Sequence, residues 1–490
     1  MKKTKTLLPL TLLGILSGAL VGCGKDSNKI VVWVGEESAA FYTNVVADYL
    51  ETNPDFGFEV EVKGMDTGTI AGVITNDPEA AADIYTVAHD NVGKLAATQC
   101  AKPLTEATLT AQILADNPDA FKSVIYNKLG NQDMIYASPY ISQALVLFYN
   151  KAYVSAEQAK SFEGLSEAAA AISSGTKKVH SVTFTGDDGY NFSITTLARK
   201  VSDKSTSVKI YEGANSDAST KDFGTSYFQG DDTVAVTRWA QDSFASENGL
   251  KWASSDGWEA DLRNEGVLGV ISGSWNYNAA AACVGETNLG IALIPTMTIT
   301  ASQAEGLTDV AEGDVFRGGT FADCKCFMIN GYSAAKKYSA EQALIKYLSS
   351  KDIQNLSYKE ALNIPAYEGA NDYINSLYVA GEIEENQYLL AAKQVEMAEW
   401  GIPQPFINGT LNTYFYSKNA PAVLRAIVDR AQYPVQNPIL EETTSLAGIR
   451  KGLWTIQYIW MRGYSPERYW PETYPAAVPT AAEEKAILGL

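Results

Sequence analysis

Apolar runs of strand length alternate with apolar repeats of helical spacing along most of this chain, and that alternation restricts its fold more than any single motif does. Lys29-Ile30-Val31-Val32-Trp33-Val34 has the β-branched content of a buried parallel strand. Ser38 is placed to cap a helix in which Phe41, Val45 and Tyr49 recur at helical spacing, and Asn53-Pro54 ends it. Phe58, Val60 and Val62 then alternate with Glu59 and Glu61, the period of a strand with one wetter face. A helix around 67–75 and a strand over 83–87 follow. A second series has strands at 182–184, 266–271 and 289–294, with a helix over 190–199. Strands joined through helices require right-handed crossovers, so the pattern predicts two α/β lobes with mainly parallel sheets. Residues 202–233, rich in Ser, Thr, Asp and Gly, read as a loop or small hairpin inserted in the second lobe. The C-terminal part is mainly helical, with apolar faces at Ala343, Leu344, Tyr347 and Leu348 and again at Leu389, Leu390 and Val395.

The N-terminus sets the compartment. Lys2, Lys3 and Lys5 precede an apolar run from Leu7 to Val21, a positive head and a hydrophobic stretch of export-signal length. The run ends in Leu20-Val21-Gly22-Cys23, which resembles a bacterial lipobox with Cys23 as the acylated residue. The full chain carries 38 basic and 57 acidic residues, and cleavage would remove three lysines and no acids, moving the net charge from −19 to −22. Nucleic acid is therefore not an expected partner, and repulsion should keep the body off an anionic membrane surface. Only His89 and His180 are present, and no zincin, P-loop, GxSxG or CxxC spacing occurs, so no metal, cofactor or catalytic residue is expected. Cys324 and Cys326, one residue apart, should share one face of a strand, and the pairing of these two with Cys100 and Cys283 is open.

Several segments, in order, resemble the maltose/maltodextrin-binding proteins of ABC importers. They are Lys29 to Trp33; Asp83-Ile84-Tyr85-Thr86-Val87-Ala88-His89-Asp90; Ile135 to Tyr140 leading to Ala144 through Lys151; Gly266 to Trp275 with Gly290 to Pro295; and Gly401-Ile402-Pro403-Gln404-Pro405. The resemblance implies a two-lobed α/β fold of the periplasmic-binding-protein type, with a ligand cleft between the lobes, hinge closure and a helical C-terminal part. It divides the chain into a signal peptide (1–22), a lipidated linker (23–28), lobe 1 (29–141 and 296–349), lobe 2 (142–295 and 350–445) and a C-terminal extension (446–490). Crossings are expected near Ser142 to Leu145, Ile294 to Met297 and Leu348 to Ser350.

The implied function is capture of an oligosaccharide, maltodextrin first, outside the cell, and its delivery to transporter permease subunits by a lipid-anchored monomer without enzymatic activity. Sugars offer apolar C–H faces and a rim of hydroxyls, so a site needs aromatic platforms and carboxylates or amides. On the family's pattern these are Glu36, Glu37, Asp90, Gln143, Asp188, Tyr190 and Trp275, together with Tyr414 or Phe415. The chain departs from that pattern at Gln143, where a glutamate is usual, at Val87 (tryptophan), at Asn91 (arginine) and at Glu37 (lysine). The alternatives are a lipid-anchored glycoside hydrolase, for which no carboxylate pair stands out, and an adhesion or docking lipoprotein using the Trp-rich tail from Leu453 to Trp470. For that tail the plainer reading is a helix packed on the second lobe, since Ile456, Ile459 and Trp460 recur at helical spacing.

Overall fold

A computed structural model describes residues 28–118, 121, 125–126, 134–185, 190–191, 193–208, 228–254, 257–403, 419–428 and 444–464. The signal peptide, Cys23, Asp188, Tyr414 and Phe415 lie outside these residues.

The first lobe is built on a seven-stranded sheet. The Lys29–Gly35 strand pairs in parallel with Glu59–Met65 on one side and with Ile84–Ala88 on the other. The long strand Phe321–Asn330 runs antiparallel to Ile84–Ala88, to Ser138–Gln143 and to the short Ala101–Lys102, and parallel to Ile402–Pro403. The sheet is therefore mixed rather than mainly parallel, because the strand returning from the second lobe enters it in the opposite direction. Helix Ala39–Thr52 buries Phe41, Tyr42, Val45, Val46 and Tyr49 against it. Ser38 precedes that helix without a side-chain cap; its hydroxyl instead accepts a bond from Asn363 Nδ2 at 3.2 Å.

The second lobe's five-stranded sheet has the order Leu250–Ala253, His180–Thr185, Val267–Gly273, Leu145–Asn150, Leu289–Ala292. Val267–Gly273 and Leu145–Asn150 are buried at every position, as a sheet covered on both faces requires. The helix expected over 190–199 is only Ser193–Thr196, and Arg199–Lys200 is already a strand paired with Val315–Arg317. The tail forms a helix, Leu446–Tyr464, packed on Asn419–Val428 and Asp231–Ala245, with Ile449, Leu453 and Ile456 in the second core.

Among the described residues, three of the crossings between the lobes are tied to one another. The first is at Ala144, between Gln143 in one sheet and Leu145 in the other. The second was expected near Ile294 to Met297, but Ile294, Met297, Ile299 and Phe316 pack in the second core, and the chain reaches the first sheet only at Thr320 and Phe321. Thr320 Oγ1 accepts from Leu145 N at 3.0 Å, which places these two crossings side by side. The third, expected at Leu348 to Ser350, falls within and after helix Lys351–Ala361: Ile353 belongs to the first core and Tyr358 to the second. Ser142 N donates to Ile364 O at 2.8 Å, linking the third crossing to the first.

At the far edge of the first lobe, Asp83 accepts from Lys337 Nζ at 2.9 and 3.0 Å, from Ser333 Oγ at 3.1 Å and, through Oδ2, from Val31 N at 2.9 Å. Beside it Glu341 is fully buried, with its carboxyl in a hydrogen bond with Ser333 Oγ. Burial, with the charge of Asp83 adding to it against the Ser333 bond and the two nearby lysines, pushes the Glu341 carboxyl from its ordinary 4.5 to about 7. The folded chain thus holds a proton that the unfolded chain has lost between those values, so this group's stability contribution is full at acid pH and falls as pH rises through about 4.5 to 7. Thermal unfolding across that range should show Glu341→Gln gaining on the wild type as pH rises. Parallel pH profiles for the two proteins would contradict the assignment.

Candidate functional site

A cleft of about 500 Å³ opens between the lobes beside the crossings. Its first-lobe wall is made by Glu36, Glu37, Asp66, Thr67, Ile141 and Lys325, and its second-lobe wall by Ser274, Trp275, Tyr277 and Asn278. Gln143 and the crossing residues Leu362, Asn363 and Ile364 lie along its floor. Each wall includes a turn that follows the carboxyl end of a strand, where open α/β sheets present their ligand-binding groups. Glu36–Ser38 is the turn after Lys29–Gly35, and Ser274–Asn276 is the corresponding turn after Val267–Gly273. Asp66 caps the helix Thr67–Asn76 that follows Glu59–Met65, accepting from Gly68 N at 3.0 Å.

Trp275 is 51% exposed, unusual for a large indole beside a core. Its ring lies over Gly273, where an added Cβ would come within 2.0 Å of the indole. Tyr190 meets the indole edge-on, with centroids 5.9 Å apart at 69°, and Tyr190 in turn packs 5.6 Å from Phe321. An aromatic file therefore runs from the cleft wall to the start of the strand Phe321–Asn330, with the half-exposed indole at its cleft end.

On the opposite wall Lys325 Nζ donates to Glu37 Oε1 at 2.9 Å. Burial works against the charged form of Glu37, yet the Lys325 charge and hydrogen bond together hold its carboxyl below the usual carboxylate range. Glu36, Glu37 and Asp66 against Lys325 leave the described part of the cleft net negative, which disfavours anionic ligands.

Of the residues singled out by the sequence, the cleft brings together Glu36, Glu37, Gln143 and Trp275. Tyr190 stands behind Trp275 as its support. Asp90 is 4% exposed and does not line the cleft among the described residues; it accepts from Asn91 Nδ2 at 2.8 Å. Burial, then the charge of Asp323, push its carboxyl up to about 7 against the opposing effect of His89. His89 is fully buried, with Nδ1 against the Asp323 carboxylate and 3.2 Å from the Cys324 backbone N–H. Val87 is core. Cys324 and Cys326 share one strand face with sulfurs 3.6 Å apart, and burial raises the Cys324 thiol well above its ordinary range.

Lys325, Asp66, Tyr277 and Asn363 were not anticipated. Lys325 had one available signal, a lone cation inside the mainly apolar run Phe321-Ala322-Asp323-Cys324-Lys325-Cys326-Phe327-Met328.

The chain belongs to the bacterial extracellular solute-binding protein family, whose sequence model matches residues 44–382. Its place is therefore outside the cytoplasm. The fold is that of two-lobed solute-binding proteins of known structure. A maltodextrin-binding protein from L. casei BL23, solved without ligand, superposes with a TM-score of 0.65 at 19% identity, covering 89% of this chain and 99% of its own. A maltose-binding protein from Listeria monocytogenes in complex with maltose gives 0.62 at 17% identity, covering 90% and 98%. A Streptococcus pneumoniae protein in complex with maltopentaose gives 0.58 at 18%, covering 87% and 99%. No curated protein matches the chain by sequence.

The contact between Gly273 and Trp275 is testable without any ligand. Gly273→Ala should displace the indole and change tryptophan fluorescence while leaving the thermal midpoint close to wild type, and most of that change should vanish in a Trp275→Phe background. An unchanged spectrum would show that the ring does not rest on Gly273.

Proposed function

We propose that the mature protein captures a neutral gluco-oligosaccharide, maltose or a longer maltodextrin, and delivers it unchanged to the permease subunits of an ABC transporter while tethered to the membrane through a lipid on Cys23. The observation that carries this reading is the half-exposed Trp275 indole on one wall of an interlobe cleft, opposite carboxylates and an ammonium on the other wall. An indole face suits the C–H side of a pyranose ring, and paired donors and acceptors suit its adjacent hydroxyls. The excess of carboxylates in the cleft favours an uncharged sugar over a phosphorylated or uronic one. Similarity to proteins solved with maltose and maltopentaose points to the same sugar class. The proposed lobes are 29–143 with 321–356 and 145–319 with 357–400, 419–428 and 446–464, with Ile402–Pro403 adding a strand to the first, in a monomer that needs no cofactor.

Calorimetry of the mature protein against mono-, di- and oligosaccharides is the first test, with maltose and maltotriose expected to bind and to raise the melting point. Loss of the Trp275 ring should cost about 1 to 3 kcal/mol, by analogy with ring-on-base stacking, or about a five- to hundredfold loss of affinity in Trp275→Ala. Wild-type affinity in that folded variant would remove Trp275 from the site. New reducing ends from a maltodextrin incubated with the protein would instead favour a glycoside hydrolase. For the anchor, Cys23→Ser should abolish lipid labelling of the exported chain, and undiminished labelling would place the attachment elsewhere.

A further inference from the structure

The strand Phe321–Asn330 is buried at nine of its ten positions; Lys325 is the exception, and it faces the cleft. Its flanking cysteines, Cys324 and Cys326, are fully buried on the other face of the sheet. Lys325 sits opposite Ile141 in one neighbouring strand and Ala88 in the other, and the ladder to Ser138–Gln143 shifts register between Lys325 and Cys326. The position is thus central to the sheet, fixed by hydrogen bonding on both sides. The Lys325 side chain is only 13% exposed, an unfavourable place for an ammonium unless it has partners. Glu37 supplies one at 2.9 Å. An ammonium carries three N–H donors, and Glu37 Oε1 accepts one of them.

We propose that Lys325 is a specificity-determining residue that donates to a ligand hydroxyl from the first-lobe wall, while the Glu37 carboxylate orients it and accepts from the neighbouring hydroxyl. A donor and an acceptor held side by side match two adjacent hydroxyls of a neutral pyranose, each of which can both donate and accept. The pair also supplies the site with a cation that the local sequence around Glu36 and Glu37 lacks. The assignment rests on the saccharide reading of the cleft and deepens it by naming the groups that choose among sugars.

The test is calorimetry with maltose and a set of monodeoxy maltoses on the wild type, Lys325→Met and Lys325→Gln. Lys325→Met keeps most of the side-chain length without the charge, and Lys325→Gln keeps a polar group if Met impairs folding. Maltose affinity should fall about 10- to 100-fold in Lys325→Met, the size expected for a lost charge-assisted bond. At least one deoxy position that weakens binding to the wild type should have no further effect in the Lys325 variants. A purely structural ion pair gives a different pattern: the variants melt lower, yet bind maltose and every deoxy analogue as the wild type does, which overturns the assignment and leaves the saccharide reading standing. A wild type that binds no maltodextrin overturns the saccharide reading and the Lys325 assignment with it.

Discussion

The strand Phe321–Asn330 hydrogen-bonds to four others, and the arrangement of the molecule depends on that pairing. It begins at Phe321, in the second lobe's core, and passes directly into the centre of the first lobe's sheet. Its start is tied to the first crossing through Thr320 and Leu145, and the first crossing to the third through Ser142 and Ile364. The connection between the lobes is therefore a small group of adjacent backbone segments cross-linked by hydrogen bonds. Such a group can act as a hinge, absorbing rotation in a few residues while each sheet remains rigid. Leu362, held at φ +54° on the cleft floor, is a local point of backbone strain within it.

The same strand connects both walls of the cleft. Its first residue closes the aromatic file behind Trp275, and its fifth, Lys325, forms the ion pair with Glu37 on the opposite wall. Apolar stacking comes from the turn after a strand of one sheet, and charged hydrogen bonding from the turn after a strand of the other together with Lys325 within that sheet. A ligand that needs both can satisfy both only by lying between the lobes, which would couple occupancy to closure.

Much of the fold was legible in local sequence, because β-branched runs such as Lys29 to Val34 and regular helical repeats such as Phe41, Val45 and Tyr49 specify their own structure. What local pattern could not resolve was decided by tertiary partners. Ile294 and Met297 have the same apolar character whether they lead into the first sheet or pack in the second core, and only strand pairing settles which. The helix begun at Ser193 stops early because Arg199–Lys200 finds a strand partner in Val315–Arg317. Ser38 has the composition of a cap, but its hydroxyl is taken by Asn363, far along the chain. The site divides in the same way. Glu36, Glu37, Gln143 and Trp275 follow strands or crossings that the sequence marks, and the structure places all four along the cleft. Lys325 reaches Glu37 across 288 residues of sequence, so no spacing rule could have paired them.

A ligand gripped by both lobes of a hinged pair should draw the lobes together. Small-angle X-ray scattering of the mature protein, free and saturated with the maltodextrin that binds most tightly in calorimetry, tests it most directly. The radius of gyration should decrease measurably on binding, and a Trp275→Ala protein should compact less at equal sugar concentration. A saccharide that binds and raises the melting point while leaving the scattering profile unchanged would contradict it.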